Sequence, residues 1–136
     1  MTVRIYAVED HELMRGMLVE FLSLVPGFEV SGFASSAEEA LGDPSLSGTS
    51  IVLVDVSLPG MTGIDFVREL RGAGGGPPCV MLSGHRDPSY VRHALAAGAV
   101  GYVVKGNPEE LVHAIRTVLG GGRYVSGEQD HFAVEA

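Results

Sequence analysis

The sequence predicts one α/β domain built on a parallel sheet. Three observations lead there. Short apolar runs alternate with amphipathic stretches from end to end. The run Ile51 to Val54 is apolar without a break, as a strand buried on both faces requires. A chain of 136 residues has room for a single compact domain, and its 46% hydrophobic residues suffice for a full core.

Taken in order, Val3 to Val8 reads as the first strand, and Glu12 to Val25 as a helix. Leu13, Met17 and Phe21 form one stripe of that helix, with Met14, Leu18 and Leu22 beside it, and Pro26-Gly27 ends it. Phe28 to Ala34 is the second strand. Ser36-Ala37-Glu38-Glu39 fits a capping box that opens a short helix. After the strand from Ile51 comes the turn Leu58-Pro59-Gly60, then a helix from about Gly63 to Arg71 capped by Thr62, with Ile64, Val67 and Leu70 inward. Cys79 to Leu82 is the fourth strand. The next helix has Pro88 near its start, runs to Ala97 and stops at Gly98. Gly101 to Val104 is the fifth strand. Asn107-Pro108-Glu109-Glu110 supplies an N-cap, a proline in the first turn and acids against the helix dipole, and the helix it opens carries the stripe Leu111, Ile115 and Val118.

Composition narrows the function. The net charge of −8 repels phosphodiester backbones, so direct DNA binding by this chain is not expected. The N-terminus lacks the apolar core of a signal peptide, and no stretch approaches the ~20 apolar residues of a membrane helix. A single cysteine, Cys79, reads as an ordinary buried residue and fits a reducing compartment. The expected location is the cytoplasm.

Four apolar runs end in residues able to bind a metal or a phosphate: Glu9-Asp10, Asp55, Ser83 and Lys105. In an open parallel sheet the carboxyl ends of the strands share one rim, and ligands bind where the strand order reverses. Three carboxylates gathered there raise one another's pKa unless a cation sits among them. Oxygen donors without a cysteine or histidine pair at ligand spacing favour Mg²⁺ over zinc. Lys105 is the only lysine among nine basic residues, which points to a compact charge wanted at that strand end. The bland alternatives are a helix-dipole role for Glu9-Asp10, a turn cap for Ser83, a snorkelling Lys105 and plain strand packing for Tyr102.

From residue 3 to about 120 the sequence resembles the response-regulator receiver domain of bacterial two-component signalling. The resemblance is carried by the acidic pair after the first strand, Asp55 with Leu58-Pro59-Gly60-Met61-Thr62-Gly63 behind it, Ser83-Gly84, and Tyr102 with Lys105. Glu9-Asp10-His11, Gly101 to Lys105, Pro108-Glu109-Glu110-Leu111 and Gly121-Gly122-Arg123-Tyr124 look most like the NarL/LuxR-type subfamily.

The resemblance implies a flavodoxin-like (CheY-like) doubly wound sheet of five strands in the order 2-1-3-4-5, with helices on both faces. It implies Asp55 as phosphoacceptor, served by a sensor histidine kinase or a small acyl phosphate. It implies Mg²⁺ held by Asp10, Asp55 and the Ser57 backbone carbonyl, with Glu9 near it or bonded through water, and phosphoryl oxygens held by Ser83 and Lys105. Tyr102 reports the change by turning inward, and the face of the fourth helix, fifth strand and fifth helix then controls a homodimer or an output, transcriptional in this subfamily. Ser57 and His85 stand at positions that tune phosphoryl lifetime in the family. Gly106 replaces a proline often found after the lysine, so no cis peptide is expected there. Residues 1–120 would form the receiver. Residues 121–136 would form a tail or the start of a linker, too short for a helix-turn-helix domain, which would have to lie elsewhere.

Such a protein is a signalling switch that assists phosphoryl transfer to itself and its slow hydrolysis, and it is not classed as an enzyme. The alternative is a receiver fold that binds or dimerises without phosphorylation; the intact set Asp10, Asp55, Ser83 and Lys105 argues against it. A flavin carrier of the same topology is disfavoured because Glu9-Asp10-His11-Glu12 would repel the FMN phosphate. A haloacid-dehalogenase-type enzyme would need an acid where Ser57 stands. His11 fits a first-turn surface position as well as a site contact, and His93, His113 and His131 show no ligand spacing.

Overall fold

The computed structural model describes residues 2–72, 75–84 and 86–127. Six parallel strands form one sheet: β1 (Val3–Val8), β2 (Phe28–Ala34), β3 (Ile51–Asp55), β4 (Cys79–Ser83), β5 (Gly101–Val104) and β6 (Tyr124–Val125). Their order is β2-β1-β3-β4-β5-β6, so the winding reverses between β1 and β3. The helices are α1 (Glu12–Ser23), α2 (Ala37–Leu41), α3 (Gly63–Gly72), α4 (Pro88–Ala97) and α5 (Pro108–Leu119), with a 3-10 turn at Pro44–Leu46.

Alternation along the strands divides the core in two. Tyr6, Val8, Val52, Val54, Met81 and Tyr102 face the layer of α2, α3 and α4 with Phe66 and Val67. Ile5, Ile51, Leu53, Val80, Leu82 and Val103 face the opposite layer, where α1 contributes Leu22 and α5 contributes Leu111, Ile115 and Val118. Every residue of β3 is buried, as its unbroken apolar run anticipates. The helix starts match their caps: Ser36 Oγ accepts from Glu39 N at 3.0 Å, Thr62 Oγ1 from Asp65 N at 3.1 Å, and Asn107 Oδ1 from Glu110 N at 3.1 Å. Gly98 ends α4 at φ +116°, a value only glycine adopts readily.

The expected sheet of five strands is corrected to six. After α5 the chain turns through Gly121 and lays Tyr124–Val125 beside Gly101 and Tyr102 of β5. Two residues carry no periodicity, so the sequence does not announce this strand. It is fixed by backbone and side-chain bonds together: Ser126 N donates to Tyr102 O at 2.8 Å, Val104 N donates to Ser126 Oγ at 3.0 Å, and Glu110 Oε2 accepts from both Tyr124 Oη and Ser126 Oγ at 2.8 Å. The sheet therefore extends into the segment that the sequence reading sets apart as a tail. The stripes expected on α1 are only partly used. Leu22 is buried, Leu18 and Phe21 are half-buried, and Leu13, Met14 and Met17 stay exposed. Helix α1 also ends two residues before the expected Val25, because Leu24 N and Val25 N bond three residues back and tighten the last turn.

Candidate functional site

The carboxyl ends of β1, β3, β4 and β5 meet at one rim of the sheet. Glu9 and Asp10 follow β1, Asp55 ends β3, Ser83 ends β4, and Lys105 follows β5. The parallel ladder sets Asp55 opposite Leu82, and Lys105 N donates to Ser83 O at 2.8 Å, which anchors the lysine backbone to the neighbouring strand. Residues as far apart as 9 and 105 are thereby brought to one rim by the ladder register.

Lys105 Nζ lies 2.8 Å from Glu9 Oε1 and 3.0 Å from Asp55 Oδ2. Glu9 is fully buried and Asp55 nearly so, so a single ammonium serves two desolvated carboxylates. Asp55 Oδ1 accepts from the Ser57 amide at 3.0 Å and from its hydroxyl at 3.3 Å. Burial pushes the Asp55 carboxyl upward, but the Ser57 amide and Lys105 outweigh it and leave it below the ordinary aspartate range. Burial likewise depresses the Lys105 ammonium, yet Glu9 and Asp55 raise it above its usual value. Asp55 is thus held ionised and Lys105 charged.

His11, the N-cap of α1, bonds Glu9 Oε2 through Nδ1 at 3.0 Å, and its amide donates to the same oxygen at 3.2 Å. Its Nδ1 is 3.5 Å from Asp10 Oδ1. The Glu9 hydrogen bond, followed by the charges of Asp10 and Glu9, raises the imidazole above its ordinary value against a smaller opposing pull from Lys105. Arg15 Nη1 donates to the Glu9 carbonyl at 2.9 Å. The sequence leaves His11 open between surface and site. In the fold it is both, with an exposed ring that touches the two acids. Its position directly after the acidic pair is the available signal. The role of Arg15 depends on tertiary placement and carries none, whereas the Ser57 amide bonds the carboxylate two residues before it, a local turn contact.

One ligand atom from each of Glu9, Asp10, His11 and Asp55 falls within 4.8 Å of the others. Asp10 Oδ1 is buried with no hydrogen bond and only the His11 ring 3.5 Å away, so it retains the capacity to ligate a cation. The donor set is dominated by carboxylate oxygen and so suits a hard divalent cation such as Mg²⁺. Both Glu9 oxygens are engaged, by Lys105 and by His11, and both Asp55 oxygens, by Ser57 and by Lys105, which leaves Asp10 as the freest of the three acids.

Ser83 is buried at the rim beside Lys105. Tyr102 is fully buried and faces the α4 side of the sheet, where burial raises its phenol and the Ser83 hydroxyl partly offsets the rise. Ser57 is exposed at the site's edge. His85 lies outside the described residues. Among the described residues, no helix is long and apolar enough to cross a membrane.

Fold and cluster together define a doubly wound α/β protein whose polar site sits where its strand order reverses. The chain belongs to the response regulator receiver domain family, which it matches over residues 5–116. Response regulator UvrY of Escherichia coli (strain K12) is 33% identical over 127 residues, 93% of this chain and 58% of that protein. Response regulator GacA of Pseudomonas viridiflava is 34% identical over 125 residues, 91% and 58% of the two chains. The chain therefore spans less than two thirds of the length of these curated relatives. Among solved structures, a LuxR-family two-component response regulator from Aurantimonas sp. SI85-9A1 superposes with a TM-score of 0.88 at 32% identity, covering 99% of this chain and 97% of that one. The signal receiver domain of NarL from Mycobacterium tuberculosis gives 0.80 at 29% identity, covering 88% and 98%. These similarities are to receivers of the NarL/LuxR type.

Proposed function

We propose that the chain is a phosphorylation-controlled receiver in which Asp55 accepts a phosphoryl group from the phosphohistidine of a sensor histidine kinase. The observation that carries this reading is the sharing of Lys105 between buried Glu9 and Asp55, at 2.8 and 3.0 Å, on the rim of the sheet. An Asp55 carboxylate oxygen bonds to phosphorus as the P–N bond of the donor breaks, and the imidazole leaves with the electron pair and takes up a proton. Lys105 and the Ser83 hydroxyl then hold phosphoryl oxygens. Asp10, Asp55 and the Ser57 carbonyl would hold Mg²⁺, with Glu9 beside it, and the ion supplies positive charge where phosphoryl charge accumulates.

Lys105 carries three N–H donors, two of them facing Glu9 and Asp55, and a phosphoryl oxygen arriving on Asp55 would draw the ammonium towards it. Tyr102, on the same strand, then conveys the change to the face of α4, β5 and α5, which would govern dimerisation or an output, transcriptional as the relationship to such regulators suggests. Ser57 tunes phosphoryl lifetime through its contact with Asp55, and His85 would be the second residue to tune it. The folded receiver would take in β6. The expected location is the cytoplasm, and the chain acts as a signalling protein assisting phosphoryl transfer to itself.

Incubation with Mg²⁺ and acetyl phosphate should yield an acid-stable, base-labile adduct by intact mass, absent from Asp55→Asn. If the wild type stays unlabelled under conditions that label a control receiver, the protein is a phosphorylation-independent interaction module instead. An adduct persisting in Asp55→Asn would place the acceptor elsewhere.

A further inference from the structure

The loop that leads from Asp55 into α3 carries Ser57 and is held from outside the site. Its base is tied by Val56 N to Leu82 O at 2.9 Å and by Gly63 N to Val56 O at 3.2 Å, and Leu58 is buried beneath it. Its outer limb is gripped by another element. Met61 N donates to Glu38 Oε2, on α2, at 2.9 Å. At Gly60 the backbone takes φ +72°, and a Cβ there would come within 2.8 Å of the same Glu38 oxygen. The turn thus brings the bare Gly60 backbone and the Met61 amide against one carboxylate; a side chain at this positive φ would be strained, and its Cβ would push the Glu38 carboxylate aside.

Helix α2 is a firm base for that grip. Ala37 and Ala40 are fully buried, and Ser36 caps its first turn. Glu39 makes a different contact, accepting from Ser35 N at 2.8 Å and Ser35 Oγ at 2.9 Å. The two adjacent glutamates therefore divide the work: Glu39 closes the helix start, and Glu38 reaches across 23 residues of sequence to the loop. The Met61 amide holds the Glu38 carboxyl below its ordinary range, as a charge-assisted bond does.

We propose that Glu38 is a positioning residue for the phosphoryl site, its carboxylate clamping the β3–α3 loop so that the Ser57 carbonyl is held ready for a divalent cation. The proposal rests on the reading of Asp55 and Mg²⁺ given above. Mg²⁺ tolerates little departure from octahedral geometry, so a ligand on a loosened loop weakens binding even when the ligand itself is intact.

The test compares wild type, Glu38→Ala and Glu38→Gln in a Mg²⁺ titration followed by amide chemical shifts, with hydrogen exchange read at Met61. Glu38 is exposed on a helix, so alanine is compatible with folding there. Glutamine keeps an oxygen acceptor for Met61 but removes the charge. Glu38→Ala should weaken Mg²⁺ binding about 3- to 10-fold, at the low end of effects from groups behind a metal ligand, and should speed Met61 exchange. Excess Mg²⁺ should restore its labelling by acetyl phosphate. Glu38→Gln should stay close to wild type in both readouts. Unchanged Mg²⁺ affinity in Glu38→Ala overturns the clamp. Equal weakening in both variants also overturns it, because bulk charge and not the hydrogen bond would then be responsible. A wild type that binds no Mg²⁺ overturns the underlying reading of the site, and the clamp with it.

Discussion

Removing the Lys105 ammonium would take from Glu9 and Asp55 the cation they share and leave them only the bonds from His11 and Ser57, and Glu9 is 0% exposed. Breaking a buried pair from one side costs several kcal/mol; with the lysine side chain 16% exposed, Lys105→Met should cost about 2–3 kcal/mol in Mg²⁺-free buffer. Urea midpoints will show this, and adding Glu9→Gln should recover much of the loss. A Lys105→Met protein as stable as wild type would mean that the pair is not desolvated. This lysine was legible in the sequence because it is the only one and follows an apolar run. His11 was half legible, through its place beside two acids. Glu38 was not, since SAEE reads as a capping box and nothing local distinguishes the glutamate that caps from the one that reaches Met61. Side chains whose partner lies in their own turn can be read along the chain. Those whose partner arrives through the fold cannot.

At the scale of elements, the β3–α3 junction is the tightest point. A Cβ on Gly63 would overlap the Asp55 backbone carbonyl, and backbone cannot swing aside as a side chain can. Gly63→Ala should cost at least about 3 kcal/mol and abolish labelling of Asp55. Gly16, exposed in α1 with open space around it, is the contrast: Gly16→Ala should stabilise by about 0.5–1 kcal/mol. Thermal unfolding of the two variants separates steric need from composition, and similar midpoints would contradict the assignment. Strands β1, β2 and β5 and helix α4 fall where hydrophobic pattern and caps place them. Pattern said less about α1, whose stripes are apolar on more faces than the sheet covers. It said nothing about β6, where Glu110 and Ser126 supply what two residues of pattern lack.

For the whole molecule, pH dependence should come from groups away from the site in addition to Asp55, whose lowered carboxyl acts in the same acid range. The Tyr6 hydroxyl, followed by the Ser45 amide and hydroxyl, holds the Asp43 carboxyl below its ordinary range, and Ser35 does the same for Glu39. Carboxyls lowered in the folded state give stability that is full at neutral pH. It is lost as pH falls from about 4 through the folded values. Burial and Asp43 raise the Tyr6 phenol, while burial and Glu110 push Tyr124 up to about 12. Their contribution is full below the ordinary tyrosine value of about 10 and disappears as pH rises beyond it. Urea midpoints should therefore fall between pH 6 and 3 and again between pH 9 and 11.5. A flat profile across either interval would remove the corresponding set. The global topology was open to sequence reasoning because parallel winding forces strand ends together, whichever residues occupy them. The sixth strand adds a mechanical property to that topology. Tension applied at Gly127 is borne by the Ser126 hydrogen bonds to Tyr102 and Val104, and Val104 adjoins Lys105. Pulling on the chain beyond β6 would load the same strand that carries the lysine, so pocket and chain exit share a single joint.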